Sequence, residues 1–106
     1  MAKGMVYSNH GVLKGVFSNK KNLWDFLIAD EDVNNLSIKL NETKTTELTY
    51  SKVVKYLKER TMLQIYYNDD LVDYEAENNI ENCPTYVRLW EVEINKPYKL
   101  GDENDN

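Results

Sequence analysis

A chain of 106 residues with 42% hydrophobic residues, two prolines and four glycines has the size for one folded core and a composition that excludes a disordered chain. Its one cysteine, Cys83, excludes an internal disulfide and fits a reducing compartment, and no apolar run reaches the length that spans a bilayer. The net charge of −5 is unevenly spread: residues 1–60 hold ten Lys/Arg against seven Asp/Glu, residues 61–106 three against eleven.

In chain order, Met5–Tyr7 and Val12–Phe17 read as two short strands. The polar turn Ser8-Asn9-His10-Gly11 joins them, with Asn and Gly tolerant of positive φ. Ser18 is the expected N-cap of a helix from about Asn19 to Ala29, whose apolar stripe is Leu23, Phe26 and Leu27, widened by Trp24 and Ile28. Asp30-Glu31-Asp32 stops that pattern. Leu36–Leu40 alternates as a half-buried strand, and Asn41–Thr46 is a polar loop. Thr49 caps a second helix, in which Tyr50, Val53, Val54 and Leu57 share a face. Met62–Tyr67 is a strand with Leu63, Ile65 and Tyr67 inward. Asn68-Asp69-Asp70 reads as a turn, from which Leu71–Tyr74 returns as a hairpin arm. Glu75–Asn82 is an acidic loop. Tyr86–Ile94 is the longest strand, with Trp90, Val92 and Ile94 alternating against outward Glu91 and Glu93. The order ββαβαβββ predicts an α+β domain over residues 1–100, one mostly antiparallel sheet with two helices packed on one face. Residues 101–106 are expected to be a frayed acidic tail.

The sequence offers little for catalysis. His10, the only histidine, falls in a turn, and Cys83 precedes Pro84 with no cation near it, so both read as structural. The stretch Asp69-Asp70-Leu71-Val72-Asp73 lacks the glycine and spaced glutamate of a calcium loop, one Cys and one His make no zinc cluster, and the glycines have no phosphate-loop spacing. No catalytic residue, metal site or cofactor is expected.

Two surfaces remain. Between Thr61 and Val87 there is no Lys or Arg, while Asp69, Asp70, Asp73, Glu75, Glu77 and Glu81 all fall there, interleaved with Tyr66, Tyr67 and Tyr74. Carboxylates spread in this way imitate the charge of a nucleic-acid backbone, and tyrosines supply anchoring contacts. The expected partner-binding residues are Tyr66, Tyr67, Asp69, Asp70, Asp73, Tyr74, Glu75 and Glu77. The alternative is a nucleic-acid or nucleotide binder using Lys52, Lys55, Lys58 and Arg60 of the second helix. The long last strand is also a candidate to pair edge to edge in a homodimer, with Trp90 as anchor.

The stretch Gly15-Val16-Phe17-Ser18-Asn19-Lys20-Lys21 before an apolar helix, together with Tyr86-Val87-Arg88-Leu89-Trp90-Glu91-Val92-Glu93-Ile94-Asn95, resembles a pattern in small bacteriophage-encoded accessory proteins. The resemblance covers about a third of the chain and carries over no active-site residue. It implies a cytoplasmic protein that binds a host protein and inhibits or redirects it, in host takeover or in anti-restriction or anti-CRISPR defence. A nucleic-acid-handling enzyme is one such partner; no membrane partner is expected.

Overall fold

The computed structural model describes residues 3–76 and 80–93. Strands β1 (Lys3–Asn9) and β2 (Val12–Phe17) form an antiparallel hairpin closed by His10 and Gly11. Both turn residues take positive φ, 53° and 77°, which is the backbone twist a two-residue hairpin favours. Asn9 therefore extends the strand, and His10 carries the left-handed conformation expected of asparagine. The register passes from Tyr7 opposite Gly15 to Ser8 opposite Leu13, so Lys14 is the extra residue of a bulge. Gly15 is favoured for a different reason. A Cβ there would stand 2.6 Å from the ring of Phe17, which lies against Phe26 at 5.2 Å between ring centroids.

Helix α1 spans Lys20–Asp30, and Asn19, not Ser18, is its N-cap: the Asn19 side chain accepts from the Asn22 N–H at 2.8 Å. The buried stripe is narrower than expected. Leu23 and Leu27 are buried, Trp24 is half-buried, and Phe26 and Ile28 stay exposed. After a short 3-10 turn at Val33–Asn35, β3 (Leu36–Lys39) buries Leu36 and Ile38. The stretch read as a loop then contains a strand, β4 (Thr45–Glu47), paired with β3. Three polar residues on a sheet edge carry no apolar alternation, so the pattern missed it. Helix α2 (Tyr50–Glu59) is capped by Thr49, which accepts from the Lys52 N–H, and buries Val53 and Leu57.

Strand β5 (Met62–Tyr67) runs directly into a third helix, α3 (Asn68–Ala76), where a turn and a hairpin arm were expected. Asp69 and Asp70 occupy its first turn, where carboxylates complement the helix dipole. Asn68 is pinned from both sides, accepting from Ser37 Oγ at 2.5 Å and donating to the Asn34 carbonyl at 3.2 Å. A second 3-10 turn, Ile80–Asn82, precedes β6 (Val87–Glu93). The observed order is ββαββαβαβ.

All six strands form one antiparallel sheet in the order β2-β1-β6-β5-β3-β4, and the chain is α+β. Strand alternation divides the sheet into two faces. On one, Met5, Tyr7, Leu36, Ile38, Leu63, Ile65, Val87 and Leu89 pack against Leu23 and Leu27 of α1 and Val53 and Leu57 of α2. This is the expected two-helix layer. On the other, Tyr66 packs with Leu71, Ile80 and Cys83 as a smaller core under α3; the rest of that face carries no helix among the described residues.

β6 corrects the reading of its own sequence. Glu91 shares the helix-covered face with Leu89, and Trp90 and Val92 lie on the open one. Glu91 is tolerated because Lys3 at 3.5 Å and Lys20 at 4.0 Å pair with it. Both edges of β6 are hydrogen-bonded, to β1 and β5, so it offers no edge for a dimer; the sheet ends in β2 and β4. Ile94 and the tail at 101–106 lie outside the described residues. Among those described, no helix is long and apolar enough to cross a membrane.

Candidate functional site

Where β1, β5 and β6 meet the end of α1, polar side chains from distant parts of the chain converge. Buried Tyr7 on β1 sends its hydroxyl to the last residues of α1. Asp30 Oδ2 accepts at 2.8 Å and Glu31 Oε2 at 2.7 Å, so one proton serves two carboxylates. Asn9 donates its Nδ2 to Glu31 and, at 3.1 Å, to the Tyr67 hydroxyl. His10 stacks on Tyr86 at 4.2 Å between centroids, with Nδ1 in hydrogen-bond contact with Asn9 Oδ1. Two phenols, two carboxylates, an amide and an imidazole thus share one network.

The electrostatics identify its surroundings. The Tyr7 hydroxyl is held far above its ordinary pKa, first by burial, then by the hydrogen bonds to Glu31 and Asp30. Tyr67 is also pushed up, first by burial, partly offset by Asn9; Glu31, Asp70 and Asp30 add to the rise. Tyr67 therefore sits in a field of three carboxylates, two from α1's end and one from α3.

That placement opposes local stability. The negative end of a helix dipole favours cations, yet α1 has no basic residue in its last turn and ends Asp30-Glu31-Asp32. Lys14, 3.6 Å from Asp30, offsets part of this, and such a partly exposed pair contributes little. Next to this cluster, α3 exposes Asp69, Asp73 and Val72, the last with 65% of its surface free. Asp32, Asp69, Asp70 and Asp73 have no ion-pair partner among the described residues.

The residues expected to bind a partner fall in different places. Tyr67, Asp69, Asp70 and Asp73 stand at one end of the sheet, and Tyr74 and Glu75 belong to the same helix, α3. Tyr66 is corrected: at 1% exposure it is core, not an anchor. Glu77 lies outside the described residues. Asp30, Glu31 and Tyr7 were missed, although an acidic run ending an apolar helix is a readable anomaly.

The four residues of the basic alternative have different surroundings. Lys52 Nζ donates to Thr46 Oγ1 at 2.5 Å. Arg60 Nη1 donates to the carbonyls of Lys39 at 3.2 Å and Leu40 at 3.4 Å, and its guanidinium lies 5.2 Å from the Tyr56 ring centroid. Lys55 and Lys58 alone of the four are exposed. The Cys83 thiol is buried and pushed up in pKa, chiefly by that burial and further by Asp70. Among the described residues, no group of three or more His, Cys, Asp or Glu is arranged to hold a metal ion. No family model, curated protein or solved structure matches the chain.

Proposed function

We propose that this chain is a non-catalytic binding protein of the phage-accessory type, which docks its acidic end on a basic surface of a host protein and so inhibits or redirects it. The carrying observation is the convergence of Asp30, Glu31 and Asp70 on Tyr67, beside the exposed Asp69, Val72 and Asp73 of α3. Carboxylates held against the helix dipole weaken the fold locally, and engagement of a cationic partner accounts for keeping them. The half-buried, hydrogen-bonded Tyr67 gives this surface a rigid aromatic centre. A groove that ordinarily holds nucleic acid has the matching charge, which makes a restriction, CRISPR or transcription enzyme the favoured class of partner.

The test is affinity capture from a bacterial host lysate with the wild-type chain and with Asp69→Lys/Asp70→Lys/Asp73→Lys. The reading expects one discrete protein on the wild type, released as salt rises and missing from the variant. Equal recovery of that protein on the variant would remove the acidic surface from the account.

A further inference from the structure

Among the described residues, the only helix on the sheet face opposite α1 and α2 is α3 near Tyr66; Val6 and Ser8 on this face are buried, and what it presents around them differs in charge from the acidic end. Pairing brings its residues into rows. Gln64 stands opposite Arg88, and Arg88 opposite Ser8; in the next row Met62 is opposite Trp90, Trp90 opposite Val6, and Val6 opposite Val16. On the far side of Gln64 lies Lys39, which with Leu40, Arg60, Met62 and Gln64 lines an open depression of about 240 Å³. Lys39 of β3 and Arg88 of β6 therefore flank Gln64 of β5, and Arg60, at the C-terminal end of α2, joins Lys39 in the depression. Neighbouring strands are spaced about 4.8 Å apart, so Lys39 and Arg88, two strands apart, give separate points of positive charge instead of one.

None of the three has an ion-pair partner among the described residues. Arg60 is held in place by Tyr56 and two carbonyls. No Asp or Glu occupies this face of β1, β2, β5 or β6; its one strand carboxylate among the described residues is Glu47, at the β4 edge opposite Ser37. Beside the cations lie half-buried Trp90 and exposed Met62, with 39% of its surface free.

We infer that this open face binds a short segment of single-stranded nucleic acid, with phosphates along Arg60, Lys39 and Arg88 and a base against Trp90 and Met62. Separate cations beside an aromatic platform are how sequence-tolerant single-strand sites are built, because every base has a face to stack. A duplex presents no unstacked base to Trp90, and a free phosphate would use Lys39 and Arg60 alone. The acids of α3 lie beyond the Tyr66 end and confine a polyanion to these rows. The inference does not rest on the acidic-end reading, because no residue is shared.

The experiment is fluorescence anisotropy of labelled oligothymidylate, eight nucleotides long, titrated with the full chain at low and raised salt. Binding should weaken with salt, and Lys39→Gln/Arg88→Gln should weaken it about tenfold or more and reduce the log–log salt slope by about 1.4. Lys55→Gln/Lys58→Gln on the outer face of α2 should change neither. Trp90→Ala should weaken binding and Trp90→Phe retain most of it, which separates stacking from a folding defect. Absence of binding at low salt, indifference to Lys39→Gln/Arg88→Gln, equal affinity for a duplex, or displacement by inorganic phosphate at equal charge concentration would each overturn the proposal.

Discussion

The two faces of the sheet obey different rules. The helix-covered face is closed at its centre: Met5, Tyr7, Leu36, Ile38, Leu63, Ile65, Val87 and Leu89 are buried in one cluster with Leu23 and Leu27 of α1 and Val53 and Leu57 of α2, and Glu91, a charge admitted there, is paired twice. The open face keeps Leu13 60% and Val16 57% exposed and leaves Lys39 and Arg88 without counter-charges among the described residues. The first face is explained by burial alone. The second, with the acidic end beside it, is not, and that excess over stability is where binding is to be sought.

Substitutions sharpen this contrast. Leu63→Ala, on the closed face, should cost about 3 kcal/mol in chemical denaturation, whereas Leu13→Ala on the open face should stay within about 0.5 kcal/mol. Similar costs would mean that the open face is covered. Gly15→Ala forces the Phe17 ring off its place against Phe26, and about 1–2 kcal/mol should be lost. Tyr7→Phe, leaving Asp30 and Glu31 without their shared donor, should cost about 1–2 kcal/mol near neutral pH.

That last cost has a pH signature. The folded pKa of Tyr7 is raised above its ordinary value of 10.0, so its contribution is fully present below pH 10.0. It is lost as the pH climbs further, because the unfolded chain then releases a proton that the folded chain retains. Urea titrations above pH 10.0 should therefore show the gap between wild type and Tyr7→Phe closing. A gap constant through that range would place the Tyr7 hydroxyl in water. The smallest effect tests the acidic end: Asp30→Asn keeps an acceptor for Tyr7 and relieves the dipole, and stability should be unchanged or rise by about 0.5 kcal/mol. A clear loss would mean that Asp30 serves the fold.

Much of the closed face was legible in sequence. Val53 and Leu57 after Thr49, the Leu36–Ile38 alternation and the inward set Leu63, Ile65 and Tyr67 all follow local periodicity, and local periodicity is what burial on one face produces. What failed depended on distant residues. Leu71-Val72-Asp73-Tyr74 is too short to distinguish strand from helix, and Asn68, where α3 starts, is held by Ser37 and Asn34, which are distant in sequence. Glu91 looked outward because Lys3 and Lys20 are far away in sequence. The acidic end was half legible: Asp69, Asp70 and Asp73 stood out, but Asp30 and Glu31 join them only once β1 places Tyr7 beneath α1. The row Lys39, Gln64, Arg88 needs the strand order β3-β5-β6, which no local pattern encodes.

The most direct test of two separate, oppositely charged binding surfaces is an amide and indole NMR titration of the full chain. A short Lys/Arg peptide would be used in one series and the eight-nucleotide oligothymidylate in the other. The account predicts that the peptide shifts Tyr67, Asp69, Asp70 and Asp30, whereas the oligonucleotide shifts Lys39, Gln64, Arg88 and the Trp90 indole. Overlapping sets of perturbed residues, or no response at Tyr67 and Trp90, would contradict it.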